Sequence, residues 1–221
     1  IPRCVGALSK KGLVKATRFY RSIIEGEIRP MKSIKEAEAT KIIENAFRDI
    51  NIAFVNELAR SFEMLGIDLI DVINGAKTKP FAFMAHYPSA GVGGHCIPVD
   101  PYYLIERARV SGFDHRFLKL ARQINNSMPA YTVDLLVSAL NEIKKPIKGT
   151  KVGVLGLSYK ADMDDTRESP ALEIIKLLEK EGAKVEIFDP FVLDKSTAKS
   201  LDDLLKKVEA VILATNHRQF K

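Results

Sequence analysis

A single cysteine follows three glycines in the stretch Gly91-Val92-Gly93-Gly94-His95-Cys96-Ile97-Pro98-Val99-Asp100-Pro101. Glycine lets a backbone adopt φ > 0 and approach another group closely. Amides in such a turn can stabilise a thiolate or an oxyanion. Cys96 is therefore a candidate nucleophile. The competing reading is the common one, a buried and inert cysteine. Asp100 lies four residues on, where it can orient a water, a hydroxyl or a lysine. His95 adjoins Cys96, but neighbours in an extended loop point apart, which favours a structural or ligand-contacting histidine over a base for the thiol. Cys4 has no such surroundings and reads as structural.

Two further sets of residues have a chemistry. Lys41, Asn45 and Arg48 stand at i, i+4 and i+7 of a helical pattern, so they share one stripe. A lysine there can stabilise an alkoxide, and an asparagine can donate to the same oxygen. A solvated polar face is the alternative. Lys160 and Arg167, in the stretch 158–169, suit a diphosphate, against plain salt bridges to the acids beside them. Gly153-Val154-Leu155-Gly156 after an apolar run invites a dinucleotide reading, but the spacing is G-x-x-G rather than G-x-G-x-x-G. The acid that ends the next strand, Asp189, stands 33 residues beyond Gly156, where about 20 is usual. That half reads better as a nucleotide-diphosphate site than as a nicotinamide site.

The elements that must position these groups fall into three regions. Residues 1–32 read as strand (Arg3 to Ala7), helix (Lys10 to Glu25) and strand (Glu27 to Arg29), the tail of an α/β domain. Residues 33–146 read as helical. Ser33-Ile34-Lys35-Glu36 is a capping box. Ile43, Ala46, Phe47, Ile50, Ala53, Phe54 and Leu58 then recur at helical spacing up to Gly66. Such a helix spans roughly 45–50 Å at 1.5 Å per residue, long for one small domain, which suggests a scaffold or a dimer interface. Helices from Leu69 to Ala76, Tyr102 to Ser111, Arg116 to Asn126 and Pro129 to Lys144 follow, with a loop from Lys79 to Pro101. Residues 147–221 return to α/β: strands at Lys151 to Leu155, Lys184 to Phe188 and Ala210 to Ala214, and a helix from Pro170 to Glu181. Strand, helix, strand at this spacing implies a parallel sheet.

The 221 residues are 46% hydrophobic and 28% charged, an ordinary globular composition. The net charge of +6 reads either as a solvated lysine-rich surface or as attraction for an anionic ligand. Basic and acidic residues alternate without a long basic run, which argues against nucleic acid. Apolar runs fall short of the roughly 20 residues needed to cross a bilayer. Two distant cysteines make no disulfide scaffold, so a reducing cytoplasmic setting is the default. The chain opens without Met and in mid-pattern, which reads as a fragment or a processed product.

At the motifs themselves the sequence resembles a known family. GVGGHCIPVDPYYL at Gly91 to Leu104, ATKIIENAFRDINIAFVNELA at Ala39 to Ala59 and VGVLGLSYKADMDDTRESPA at Val152 to Ala171 resemble, in order, the active-site loop, the central helix and the opening of the UDP-binding domain of the UDP-glucose/UDP-N-acetylmannosamine dehydrogenases. The resemblance implies an NAD-binding domain upstream, a central helical dimerisation domain, and a Rossmann-like UDP-binding domain. It implies a homodimer or higher homo-oligomer through the long helix, and oxidation of a sugar C6 alcohol to a carboxylate with two NAD. Cys96 would add to the aldehyde, and water would hydrolyse the resulting thioester. Lys41 would stabilise the oxyanion, Asn45 would be its partner, and Asp100 would work with Lys41 and a water. Gly91, Gly93, Gly94, Tyr87, Arg48, Lys160 and Arg167 would contact substrate, Arg167 also the cofactor. No metal is implied. The His-Cys-Ile-Pro-Val-Asp-Pro-Tyr-Tyr form resembles enzymes of UDP-N-acetylhexosamines, UDP-N-acetylmannosamine first and UDP-N-acetylglucosamine close behind, while UDP-glucose, whose enzymes more often carry Cys-Phe-x-Lys-Asp, is a further alternative. Pro88-Ser89-Ala90-Gly91 stands where the family often has Pro-Gly-Pro-Gly, a departure that bears on how stiff the loop is.

Overall fold

A computed structural model describes residues 1–220. It divides into two compact units, residues 1–48 and 49 onward, and the division falls inside one long helix.

In the first unit, β1 (Arg3–Val5) and β2 (Ile28–Pro30) pair in parallel and flank α1 (Lys10–Ile23). Val5 and Ile28 are buried, while Arg3 and Cys4 are exposed. Ser9 caps α1 by accepting from Gly12 N–H at 3.1 Å. The long helix α2 (Ile34–Leu65) begins here. Ser33 caps it, accepting from Lys35 N–H at 3.1 Å and donating to the Glu36 carboxylate. The expected capping box thus closes through the two side chains.

The second unit holds the rest of α2, then α3 (Leu69–Lys77), α4 (Cys96–Val110), α5 (Arg116–Glu142), β3 (Lys151–Leu155), α6 (Pro170–Lys180), β4 (Lys184–Phe188), α7 (Leu201–Leu205) and β5 (Ala210–Leu213). The three strands form a parallel sheet in the order β4-β3-β5. The expected class, α/β with a long helix followed by a parallel sheet, is what the structure shows. Val152, Val154, Ile174, Leu178 and Leu157 are essentially inaccessible and pack with Val133 of α5. Burial of each such side chain contributes about 1.5–3 kcal/mol.

Two expectations fail, both at prolines. The predicted helices from Arg116 to Asn126 and from Pro129 to Lys144 are one helix, α5, with Pro129 inside it. Proline removes the amide that would bond the Asn125 carbonyl and normally kinks or stops a helix. Here Arg122, Asn125, Met128, Pro129 and Val133 are all buried, and Arg122 and Asn125 are also tied down by polar bonds, so packing overrides the local preference. The loop predicted through Pro101 ends earlier. α4 begins at Cys96, with Pro98 in its first turn, where proline is tolerated, and a buried Pro101 inside it.

The second half of α2 is clasped to α5 by buried polar groups. Arg122 Nη1 donates to Asp49 Oδ1 at 2.6 Å, and Asn125 Nδ2 donates to the same oxygen at 2.8 Å. Asn56 Nδ2 donates to Asn125 Oδ1 at 2.9 Å. Further along, Arg60 reaches Ser127 Oγ at 2.7 Å and lies over the Tyr131 ring, whose hydroxyl donates to Glu63. Burial, with that bond to Glu63, pushes the Tyr131 hydroxyl up to about 12.

Candidate active site

Cys96 occupies the first position of α4 and is exposed. It is not the buried, inert cysteine of the competing reading. His95 precedes the helix in αR geometry and supplies no side-chain cap. The first amides of α4 are therefore left for another acceptor, at the end of the helix where partial positive charge gathers. An oxyanion forming beside Cys96 would meet them. The helix also changes the meaning of Asp100. One turn on from Cys96, it shares that residue's helix face rather than following it along an extended loop.

The glycines fasten this cysteine to the segment after β3. A Cβ at Gly93 would stand 2.5 Å from Tyr159 Cβ and 2.7 Å from the Glu168 carbonyl oxygen. At Gly94 (φ +84°) it would stand 2.8 Å from the Tyr159 ring. Gly94 N–H donates to the Arg167 carbonyl at 2.9 Å. The close approach that Gly93 and Gly94 permit is thus to the chain itself. Upstream, Ser89 N–H donates to Asn56 Oδ1 at 2.8 Å, and Ser89 Oγ donates to the Gly91 carbonyl at 2.8 Å. Ser89 supplies the stiffness that a Pro-Gly-Pro-Gly run would otherwise provide. Tyr87, also expected to touch substrate, is exposed and donates from its hydroxyl to Asn74 Oδ1 at 2.9 Å.

Arg167 is exposed and forks onto Asp165, with Nε 3.0 Å from Oδ1 and Nη2 2.6 Å from Oδ2. This is the salt bridge that the sequence offered as the alternative to a diphosphate contact. The bond holds Asp165 down at about 2. It also raises Arg167, chiefly through Asp165, with Tyr159 and Cys96 adding in the same direction. Lys160 is exposed on the same segment.

In the first unit, Lys41, Asn45 and Arg48 do lie on one face of α2. Arg48 Nη2 donates to Asn45 Oδ1 at 3.4 Å, Asn45 is 1% exposed, and Lys41 Nζ lies 3.7 Å from Glu44. Lys41 and Arg48 line a pocket of about 580 Å³ together with Arg3, Arg29 and Glu27. Cys4 lines it too and is exposed. The strand alternation that buries Val5 turns Cys4 outward.

Sequence reasoning missed the buried centre of the half that holds the three-stranded sheet. Asp189 is fully buried at the end of β4 and accepts from Leu157 N–H (2.6 Å), Ser158 N–H (3.0 Å), Ser158 Oγ (2.9 Å) and Phe191 N–H (2.8 Å). His217 Nε2 lies 3.0 Å from it. The carboxylate that ends β4 is thus fully committed within the fold and cannot serve a cofactor ribose. Burial opposes its charge, but the amides of Leu157, Phe191 and Ser158 outweigh that, and its carboxyl sits below the usual carboxylate range. The folded value being below the unfolded one, about 3.9, this stabilisation is complete above that pH and is lost as pH falls through the lowered value. Acid unfolding of wild type and Asp189→Asn should therefore converge below about pH 4, wild type losing more stability than the variant over that window. Parallel curves down to the lowest pH would contradict it. Among the described residues no cluster of His, Cys, Asp and Glu could hold a metal ion, and no helix is long and apolar enough to cross a membrane.

Residues 35–127 match the model of the UDP-glucose/GDP-mannose dehydrogenase family, central domain, and residues 153–221 that of the family's UDP binding domain. The UDP-N-acetyl-D-mannosamine dehydrogenase of Pyrococcus horikoshii is 37% identical over 219 residues, covering 99% of this chain and 51% of that protein. A UDP-N-acetyl-D-glucosamine 6-dehydrogenase of Pseudomonas aeruginosa is also 37% identical, covering 92% of this chain and 49% of that one. Among solved structures, a UDP-D-ManNAc dehydrogenase from Pyrococcus horikoshii superposes with a TM-score of 0.92 at 37% identity, over 99% of this chain and 51% of the other. A UDP-glucose dehydrogenase from Pyrobaculum islandicum gives 0.89 at 31% identity, over 99% and 52%. The chain spans about half the length of the curated relatives it matches.

Proposed function

Since the chain belongs to the UDP-glucose/GDP-mannose dehydrogenase family, we propose that it is the substrate-handling part of an NAD-dependent UDP-sugar 6-dehydrogenase that oxidises UDP-N-acetyl-D-mannosamine to the uronate. UDP-N-acetylglucosamine and UDP-glucose are the next candidates, and relatives carrying those names support all three. The observation that carries the reading is the exposed Cys96 thiol at the uncapped start of α4, with Asp100 one turn on.

In this reading the Cys96 sulfur bonds to C6 of the aldehyde formed by the first oxidation. The helix-start amides stabilise the oxygen as it becomes negative, and Lys41 and Asn45 keep the roles that the resemblance implies, stabiliser of the oxyanion and its partner. After the second oxidation the C6–sulfur bond is a thioester. Asp100 orients the water that breaks it, returning the thiol. Tyr87, Arg48, the glycine turn, Lys160 and Arg167 contact the UDP-sugar, and Arg167 also meets the cofactor. NAD supplies the oxidising chemistry by accepting a hydride twice. Residues 147–220 do not form the dinucleotide site for that cofactor, because the glycine spacing is wrong and Asp189 is consumed internally, and Arg167 is the one contact proposed from them. We therefore assign NAD to a part of the whole protein outside this sequence.

In the full-length protein, Cys96→Ser should lower net oxidation to the acid by at least about a thousandfold. The check is a panel of UDP-sugars with NADH counted per sugar. Two NADH per sugar supports the double oxidation, and wild-type turnover by the variant would end the assignment.

A second reading, that these residues alone bind UDP-sugar and dimerise without catalysis, is supported by the lack of a dinucleotide site among them. The exposed Ile43 and Phe54 on α2 offer the apolar face for a homodimer. Calorimetry on the 221-residue chain should detect UDP binding and no NAD binding. The exposed cysteines, Cys4 and Cys96, fit a reducing cytoplasmic setting.

A further inference from the structure

We propose that His217 is a positioning residue for Cys96, acting through the segment from Ser158 to Glu168. The proposal rests on the function assigned above and concerns how its thiol is held in place.

His217 is inaccessible to solvent, set between the rings of Phe191 and Phe220, whose centroids lie 5.0 and 5.4 Å away. Its two nitrogens do different work. Asp162 N–H donates to Nδ1 at 2.9 Å, so Nδ1 must offer its lone pair and the ring proton sits on Nε2. Nε2–H then donates to Asp189 Oδ2 at 3.0 Å. Ser158 Oγ lies 3.3 Å from Nε2, which outlines a Ser-His-Asp set. Ser158 is fully buried and gives its proton to Asp189, so this is not a nucleophile for a substrate. It is a clamp.

What it clamps is Asp162, which takes φ +62°, a left-handed conformation costly for a residue with a side chain. Arg218 completes the hold, its amide and Nε meeting the Asp162 carboxylate at 3.0 and 2.6 Å. Three residues before Asp162 stands Tyr159, the side chain that fills the space over Gly93 and Gly94. Five residues after it stands Arg167, whose carbonyl receives the Gly94 amide. Cys96 follows two residues later. The other side of the turn borders a cavity of about 360 Å³ lined by Gly91, Val92, Asn126, Ser169 and Lys176. Ser89 and Pro170 steady the turn at Gly91, and from Gly93 onward its course depends on the clamped segment.

The two nitrogens can be tested apart in the full-length protein. Asn at 217 can place its oxygen where Nδ1 stands and keep the Asp162 bond. Gln can place its amide nitrogen where Nε2 stands and keep only the Asp189 bond. On a Cys4→Ala background, the readouts are the rate of Cys96 alkylation by iodoacetamide, and kcat. His217→Leu should shift the alkylation rate at least about threefold and lower kcat about a hundredfold, the scale expected from misplacing a reacting group by an ångström. His217→Asn should return both to within about threefold of wild type, and His217→Gln should not. A folded His217→Leu with wild-type alkylation, or rescue by Gln equal to that by Asn, would overturn the proposal. If His217→Leu does not fold, the contrast between Asn and Gln decides. Alkylation needs no turnover, so it reports on the clamp even if the assigned reaction is wrong.

Discussion

Replacing Arg122 by Met should destabilise the protein by about 3–5 kcal/mol, the usual result of leaving a buried charge without its partner. Asp49 is wholly inaccessible and Arg122 nearly so. Burial pushes the Asp49 carboxyl above its ordinary value, and Arg122 and then Asn125 pull it back without cancelling the rise. Its Oδ2 and the Arg122 Nε have no hydrogen-bond partner, so the pair is already imperfectly satisfied. With Met at 122, only the Asn125 amide remains on Oδ1. Denaturant unfolding gives the number. The double variant Arg122→Met/Asp49→Asn should recover most of the loss, because a neutral amide oxygen can still accept from Asn125. Equal destabilisation in single and double variants would show that the volume of the arginine matters, not the charge it meets.

Gly93→Ala should be the most damaging single methyl group for activity. The added Cβ would lie 2.5 Å from Tyr159 Cβ and 2.7 Å from the Glu168 carbonyl oxygen, distances that real Cβ atoms do not tolerate. The turn must part from the segment that supports it, and Cys96 moves with the turn. In the full-length enzyme kcat should fall at least about a hundredfold, while the unfolding midpoint shifts only modestly. Shortening Tyr159 to Ala should not rescue it, because the Cβ of residue 159 and the backbone oxygen of Glu168 both remain. Wild-type kcat in Gly93→Ala would remove the structural argument for this turn as the seat of the nucleophile.

Much of this arrangement could be read before any coordinates. The period of apolar residues placed α2, and the β-branched runs placed β3 and β4 to the residue. The glycine-cysteine turn and the Lys41 stripe stood out because their residue types are unusual for their spacing. The failures have a common cause. Pro101 and Pro129 were read by a local rule, and buried contacts made elsewhere in the chain outweighed it. Asp49 and Asn56 were invisible as a buttress, since polar residues on a helix normally mean solvent. His217 and Asp189 stand 28 residues apart, and no pattern along the chain announces that they meet. What the sequence offered was the candidate thiol. What it hid was the support around that thiol, which depends on pairings between distant segments.

The unbroken run of α5 through Pro129 has a mechanical consequence. Its first half is gripped by α2 through Asn125 and Arg122, and its second half sinks Val133 into the layer beneath the sheet. At 27 residues it is a strut about 40 Å long. A bend at the proline would tear both attachments at once, so the place where the local sequence offers a joint is held on both sides. A bend beyond Glu142, in the short connection to β3, would likewise pull Val133 out of that layer.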